Sequence, residues 1–295
     1  MNRARGLTLV EVVVIVLIAA VLVLVFFLPP LRERRLEQRN QVSCQNNLKQ
    51  IGTALSMYAA EHNGEYPPLQ TWVGDDCDEK NTDVLMFNGP MMYPEYFADI
   101  GFLVCPSDVD SEGMLEDGAW DLPGQAGVPA PCRFDDSSYV YLAWVFCPTE
   151  RSVGRAQDSP TIHSEWPAIE AALWDALDAP DPGVFLGPLT YVDPVSGEQR
   201  SVPRMGEAAA VALAGEADQA LTDAVAARIP VMHDAWVSLS LVSMFKHIPG
   251  ASNVLHFDGH VEFVRFPGRF PMAREWGQLL GRIRNETFPG APAVR

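Results

Sequence analysis

The chain has 295 residues, of which 48% are hydrophobic, and its formal net charge is -17. This length supports one large domain or two small ones. A surface this acidic repels the phosphate backbone, so the composition argues against nucleic acid as a partner.

The first element in the chain is an apolar run at residues 9–28, closed by Pro29 and Pro30. At ~1.5 Å per residue the run forms a helix of roughly 30 Å, which is the thickness of the hydrocarbon core of a bilayer, so it predicts a transmembrane helix. No Ala-x-Ala cleavage pattern follows it, which argues against an ordinary secretory signal. Its only charged residue, Glu11, would be costly in lipid. Glu11 either reaches the headgroups at the membrane edge or needs a partner of opposite charge.

The residues around this run resemble a known processing signal. Gly6, then Leu-Thr-Leu-Val-Glu at residues 7–11 and the apolar run, resemble the class III signal of type IV pilins and type II secretion pseudopilins. The resemblance implies that a prepilin peptidase cuts after Gly6, so that Leu7, where phenylalanine is usual, becomes the N-terminus. It also implies a partner for Glu11, the new α-amino group of a neighbouring subunit, which would offset the cost of burying the carboxylate.

Residues 31–62 continue as a helix in the prediction. Their apolar side chains recur at spacings of four and three residues and form one stripe: Cys44, Leu48, Ile51, Leu55 and Tyr58. Asn63 and Gly64 supply the stop, since glycine suits a left-handed cap.

The cysteines show no Cys-x-x-Cys spacing typical of zinc or redox sites; they are Cys44, Cys77, Cys105, Cys132 and Cys147. In an exported domain, scattered cysteines indicate disulfides, and an odd number leaves at least one free or paired between chains. Cys44 is equally well explained as a small core residue on the helix stripe.

Residues 65–136 are rich in Pro, Gly and Asp and predict loops with short strands. Several separated blocks resemble pseudopilin-like proteins with a loop-rich domain behind the pilin helix: residues 46–52, 66–68, 93–96, 102–108 and 137–141, the last with strand composition. The segment at about 151–229 is an insert without a recognised resemblance. Within it, residues 164–178 and 205–228 predict helices.

The clearest strand signal is at residues 253–264, where Asp258 and Gly259 separate two strand-like runs. Asp-Gly favours a two-residue hairpin turn, which pairs Phe257 with His260. His256 and His260 would then lie on opposite faces, and a metal site shared by them is not expected. With His247 upstream, the Asp258-Gly259 pair resembles the C-terminal signature of exported prepilin-like proteins, although ten residues intervene in this chain instead of nine.

Calcium is the candidate cofactor, because this ion prefers several oxygen ligands from one loop. Asp108, Asp110 and Glu112 alternate ahead of Gly113, as in the first half of an EF-hand loop, but the twelfth position is Ala119. Asp75, Asp76 and Asp78 form a second acidic loop. Solvated acidic loops without an ion are the simpler explanation of both patterns, because aspartates are common in loops.

No catalytic motif occurs in the chain: Gly-x-Ser-x-Gly, His-Glu-x-x-His and glycine-rich phosphate loops are all missing. The sequence therefore predicts a structural protein and not an enzyme. The rival interpretation is a periplasmic binding protein or enzyme that uses the helix only as a tether.

The predicted fold is α+β, with a long N-terminal transmembrane helix packed on a loop-rich antiparallel β-sheet domain of pilin type. Its divisions are a leader at 1–6, a helix at 7–62, and an exported globular domain at 63–295. The resemblance implies a subunit of a type II secretion or type IV pilus-like filament. Its partners would be the prepilin peptidase, related subunits and the bacterial inner membrane, with the C-terminal domain in the periplasm or on a filament.

Overall fold

The computed structural model describes residues 9–70, 72–73, 77–80, 84–108, 111–146, 165–179, 181–206, 219–239, 242–247 and 250–283. Within these ranges, the side chains at 23–33, 79–80, 111–112, 182, 219–222, 237–239 and 242–243 are not described. The described part has an α+β fold in which loops separate short elements.

Helices and strands alternate irregularly along the chain. The helices are α1 (Leu9–Glu61), α2 (Gly89–Met92), α3 (Ser111–Met114), α4 (Trp166–Asp178), α5 (Gln219–Ala226) and α6 (Arg274–Ile283). The strands are β1 (Trp72–Val73), β2 (Glu79–Lys80), β3 (Asp121–Leu122), β4 (Gln125–Pro129), β5 (Tyr139–Tyr141), β6 (Leu189–Val192), β7 (Gln199–Val202), β8 (Pro230–Asp234), β9 (Trp236–Leu239), β10 (Val242–Phe245), β11 (Ala251–His256) and β12 (Val261–Arg265).

Helix α1 runs through Pro29 and Pro30 as one helix and ends where the sequence predicted. Asn63 and Gly64 both have positive φ, and the Gly64 N–H donates to the Ala59 carbonyl at 2.8 Å. The predicted stripe is confirmed, because all five of its side chains are buried. This face of α1 packs on β11, β12 and β8, and a side chain at Gly52 would meet Leu255 of β11.

The predicted transmembrane helix is wrong, and this part of the predicted fold class must be corrected. Among the residues that the structure describes, no helix is long and apolar enough to cross a membrane.

The largest sheet has four antiparallel strands in the order β12-β11-β8-β5. The strand predicted at 137–141 is present as β5, which pairs with β8 through Val140 and His233. The other described strands form two-stranded ribbons, such as β9 with β10 and β6 with β7. Helix α6 packs on β9 and α4 packs on β6. The core lies between α1 and the large sheet and extends beneath these peripheral helices.

The predicted hairpin forms, but its predicted register is wrong. Leu255 pairs with Val261, so His256 faces His260 and three residues form the loop. Only Gly259 of this loop has positive φ, at 84°. A two-residue turn of the predicted type needs positive φ at Asp258 as well, whereas a three-residue loop needs one left-handed residue.

Of the helices predicted in the insert, 164–178 is confirmed by α4. The helix predicted from Met205 is wrong at its start, because the Met205 N–H donates to the Ala143 carbonyl at 2.8 Å and its neighbours Arg204 and Gly206 form isolated β-bridges. Helix α5 begins at Gln219, after residues that lie outside the described ranges.

Candidate functional site at the junction of the first helix and the sheet

A cluster of polar side chains lies between α1 and the large sheet. We call it the junction cluster; its members are Glu37, Cys44, Cys105, Asp234, His247 and Asn253. Glu37 and Cys44 are seven residues apart on α1, so they lie on one face of that helix. Asp234 ends β8 and Asn253 lies in β11. The cluster therefore joins residues from both ends of the sequence.

His247 is the centre of the junction cluster, and its side chain is fully buried. Its Nδ1 lies 2.7 Å from Glu37 Oε1, and its Nε2 lies 3.1 Å from Asp234 Oδ2. Burial by itself lowers the pKa of His247, but the Asp234 and Glu37 carboxylates outweigh burial, so the pKa is raised above its ordinary value of 6.5. The geometry therefore favours an imidazolium ion that bridges helix and sheet.

Asn253 holds the Asp234 carboxylate in place, because its backbone N–H donates to Asp234 Oδ2 at 2.5 Å. The Asn253 side-chain amide lies 3.1 Å from His247 Nε2. In the described part of the chain, Asp234 Oδ1 and Asn253 Oδ1 are buried without a hydrogen-bond partner. Unpaired buried acceptors destabilise the folded state, and the positive charge of a protonated His247 offsets part of that cost.

A disulfide joins Cys44 of α1 to Cys105, with Cα atoms 5.3 Å apart. Both explanations of Cys44 therefore hold, because it is a buried core residue and is also disulfide-bonded. Cys105 Sγ lies 3.7 Å from His247 Nε2. Cys44, Cys105, Asp234 and His247 together place ligand atoms within 4.8 Å of one another. However, the two sulfurs are bonded to each other and are not available as thiolate ligands.

A second disulfide joins Cys77 to Cys132 in the loop region, with a sequence separation of 55. The disulfides predicted from composition are thus present for these two pairs. Cys147 lies outside the described residues.

Asp108, the first candidate calcium ligand, lies beside the junction cluster and is 3% exposed. Lys246 Nζ lies 2.5 Å from its Oδ1, and the Ser138 hydroxyl donates to its Oδ2 at 3.1 Å. Asp110 and the side chain of Glu112 lie outside the described part of the chain. The calcium site stays a prediction, and an ion there would compete with the Lys246 ammonium for Asp108.

The other predicted site residues are not brought together. Gly6 and Leu7 lie outside the described ranges, and Glu11 is on an exposed part of α1. His247 precedes β11, whereas Asp258 and Gly259 follow it. Six residues of extended strand span about 20 Å, so the two halves of the predicted signature lie at opposite ends of β11.

Sequence reasoning missed a group of possible metal ligands at the hairpin. His256, His260 and Glu262 each place one ligand atom within 4.8 Å of the others. The rings of His256 and His260 are stacked, with centroids 4.3 Å apart. The sequence showed both histidines and the turn glycine, but only the three-residue loop of the folded chain places the histidines on the same face.

The arrangement of the junction cluster suits a structural role. His247, Asp234, Asn253 and both cysteines are at most 1% exposed, so a substrate has no route to their atoms without opening the fold. The cluster supplies a charged hydrogen-bonded link and a covalent link between α1 and the rest of the molecule. These links attach α1 to the sheet.

Comparison with known proteins gives one match. Residues 39–171 match the model of a family described as a protein of unknown function (DUF1559). The matched segment contains most of the blocks whose sequence resembles pseudopilin-like proteins, and at this coarse level it supports an exported, pilin-like protein. It includes neither residues 6–11 nor the His247 and Asp258-Gly259 signature. Searches of curated proteins and of solved structures found no match.

Proposed function

We propose that the protein is a structural subunit of a type II secretion or type IV pilus-like filament and that it assembles with copies of itself through α1. The observation that carries this proposal is an apolar surface at the start of the helix. Leu9, Ile15 and Leu22 expose 83%, 54% and 50% of their surface, and the described residues between them are exposed throughout. Contiguous exposed apolar surface of this kind marks an interaction site.

The occupant that we propose for this surface is the same region of a second copy. Each copy carries the same apolar run with one carboxylate, Glu11, near its beginning. Cleavage after Gly6 by a prepilin peptidase would place a positively charged α-amino group on Leu7. The amino group of one subunit would pair with Glu11 of the next, and a wrong register would leave the carboxylate buried without an opposite charge.

The junction cluster supports the same proposal at the other half of α1. A subunit that assembles through its helix must carry its globular domain with that helix. The disulfide at Cys44 and the ion pair between Glu37 and His247 attach α1 to the domain by a covalent and a charged link. The proposal gives the protein no catalytic activity, and it locates the globular domain in the periplasm or on an extracellular filament.

Mass spectrometry of the mature protein tests the processing step. We expect the N-terminus to be Leu7 when the protein is produced together with a prepilin peptidase, and Met1 when the peptidase is inactive. Cross-linking of subunits then tests assembly. We expect Glu11→Ala to reduce cross-linked multimers at least about tenfold, since it removes the only charge that sets the register.

The matched control is Glu61→Ala, which removes a carboxylate from the other end of the same helix, where Glu61 accepts a hydrogen bond from Tyr96. Multimers should form normally in this variant. An intact Met1 in the presence of the peptidase, or unchanged multimers in Glu11→Ala, would support the tether interpretation instead.

A further inference from the structure

We propose that His256, His260 and Glu262 form a binding site for a divalent transition-metal ion, with Zn²⁺ as the probe, at the tip of the β11–β12 hairpin. This inference does not rest on the proposed assembly function.

The register of the hairpin places the three side chains on one face. The His256 N–H donates to the His260 carbonyl at 2.9 Å, and the Gly259 N–H donates to the His256 carbonyl at 2.9 Å. These bonds close the three-residue loop and put His256 directly opposite His260. Because side chains alternate along a strand, Glu262 lies on the same face as His260. The face therefore carries two imidazoles and a carboxylate.

His256 indicates a bound ligand, because its ring is buried and its nitrogens lack hydrogen-bond partners. It is 3% exposed, and neither ring nitrogen has a hydrogen-bond partner among the residues that the structure describes. An unpaired buried nitrogen destabilises the folded state, and native structures rarely leave one without a reason. A metal ion coordinated by one of these nitrogens would remove part of that cost.

His260 is oriented by a carboxylate, as metal-binding histidines usually are. Its Nδ1 lies 2.5 Å from Asp258 Oδ1, so the Nδ1–H donates to that carboxylate and the Nε2 lone pair is the coordinating position. The side chain is 41% exposed, which gives an ion access from solvent. The rings are nearly parallel, at 6°, so binding requires His260 and Asp258 to turn together until Nε2 points at an ion shared with His256.

Arg269 is the competitor of the ion, because its guanidinium contacts Glu262 Oε2. The other carboxylate oxygen remains for coordination. Two nitrogen ligands and one oxygen ligand match the chemistry of Zn²⁺ with a position left for water, whereas calcium prefers oxygen ligands alone.

The test is titration of tag-free, disulfide-intact protein with Zn²⁺, followed by calorimetry and by melting temperature. We expect one equivalent to bind and the melting temperature to rise with Zn²⁺ concentration, because an ion that binds only the folded state stabilises it. His260→Gln should remove the response. Asp258→Asn should weaken binding about 10- to 100-fold, because it removes the group that orients His260.

His256→Leu separates loss of Zn²⁺ binding from loss of folding. It replaces an unsatisfied buried ring by an apolar side chain, so the protein should fold at least as well as the wild type and yet lose the Zn²⁺ response. His62→Gln, at the end of α1, is the control and should bind like the wild type. Absence of Zn²⁺ binding to the wild type would overturn the proposal. So would binding that survives both His256→Leu and His260→Gln, or binding that is lost only when Cys44 is replaced by Ser.

Discussion

Two buried histidines at opposite ends of β11 have pKa values shifted in opposite directions. His247, between Glu37 and Asp234, has a raised pKa, whereas His256, with no carboxylate in hydrogen-bond contact, has a pKa lowered to about 3. Both rings are almost fully buried, so the difference arises from the neighbouring charges. The protonation of each residue is therefore coupled to folding with a different sign.

We predict that the folded state loses stability as the pH rises from 6.5 through the raised pKa of His247. Below 6.5 this histidine is protonated in both the unfolded and the folded states, and its full contribution is present. Above that pH the unfolded state releases the proton first, so the contribution declines and ends above the folded pKa. Urea unfolding between pH 6 and 9 measures the decline.

His247→Gln is the comparison for this measurement. It should cost about 3–5 kcal/mol below pH 6.5, because two carboxylates lose their opposite charge. It should also flatten the decline above pH 6.5. His256 does not contribute to the decline above pH 6.5. Its lowered pKa affects stability only below pH 6.5, where the unfolded state binds a proton that the folded state does not bind. Equal slopes in the wild type and His247→Gln would exclude His247 as the source.

At the scale of secondary-structure elements, the buried side-chain amide of Gln70 holds the elements of the loop region together. It lies next to Gly89, a position where any side chain would clash. Gln70 Nε2 donates to the carbonyls of Cys132 and Phe134 at 2.9 and 2.8 Å, and its Oε1 accepts from the Gly89 N–H at 2.8 Å. A Cβ at Gly89 would lie 2.1 Å from the Pro131 carbonyl oxygen. Helix α2 and the turn at Pro131–Arg133 can therefore meet only through glycine.

We predict that Gly89→Ala destabilises the protein by about 3 kcal/mol or more, because the clash is with backbone and must separate the elements joined by Gln70. Thermal unfolding measures this cost. Gly187→Ala is the control: Gly187 has ordinary φ and no atom lies within 4 Å of an added Cβ, so its melting temperature should change little. A similar loss in both variants would mean that the contact at Pro131 is not the cause of the destabilisation.

Across the molecule as a whole, α1 and the C-terminal sheet depend on each other. The Glu37 to His247 contact spans 210 residues of sequence, and the Cys44–Cys105 disulfide spans 61. The disulfide between Cys77 and Cys132 instead lies within the loop region. The first disulfide attaches the helix to the globular part, and the second stabilises the globular part itself.

We predict that replacing Cys44 and Cys105 together by Ser costs about 2–4 kcal/mol and also exposes residues 31–62 to proteases, because α1 loses its covalent attachment. Replacing Cys77 and Cys132 together should cost a similar free energy without faster cleavage in α1. Limited proteolysis with mapping of the first cuts distinguishes the two variants. Identical cleavage patterns would show that the first disulfide does not hold the helix.

The features that were predicted correctly from the sequence depend on local patterns. The stripe from Cys44 to Tyr58 follows helical spacing, and the stop at Asn63 and Gly64 follows from their tolerance of positive φ. The hairpin was recognised by its turn residues, but its register depended on the φ of Asp258. The transmembrane prediction used apolar length alone and was wrong. The junction cluster was out of reach of these arguments, because its residues are far apart in the chain.

Neighbouring residues in the chain were enough to establish the extent of the outer half of α1, the existence of β5 and of the hairpin, and the presence of disulfides. Only the folded molecule showed which cysteines pair and which carboxylates flank His247. It also showed that His256 faces His260. The physical reason is that burial, charge pairing and ligand geometry arise where distant segments pack. The pairing of Glu37 with His247 exists only after α1 has docked on the sheet.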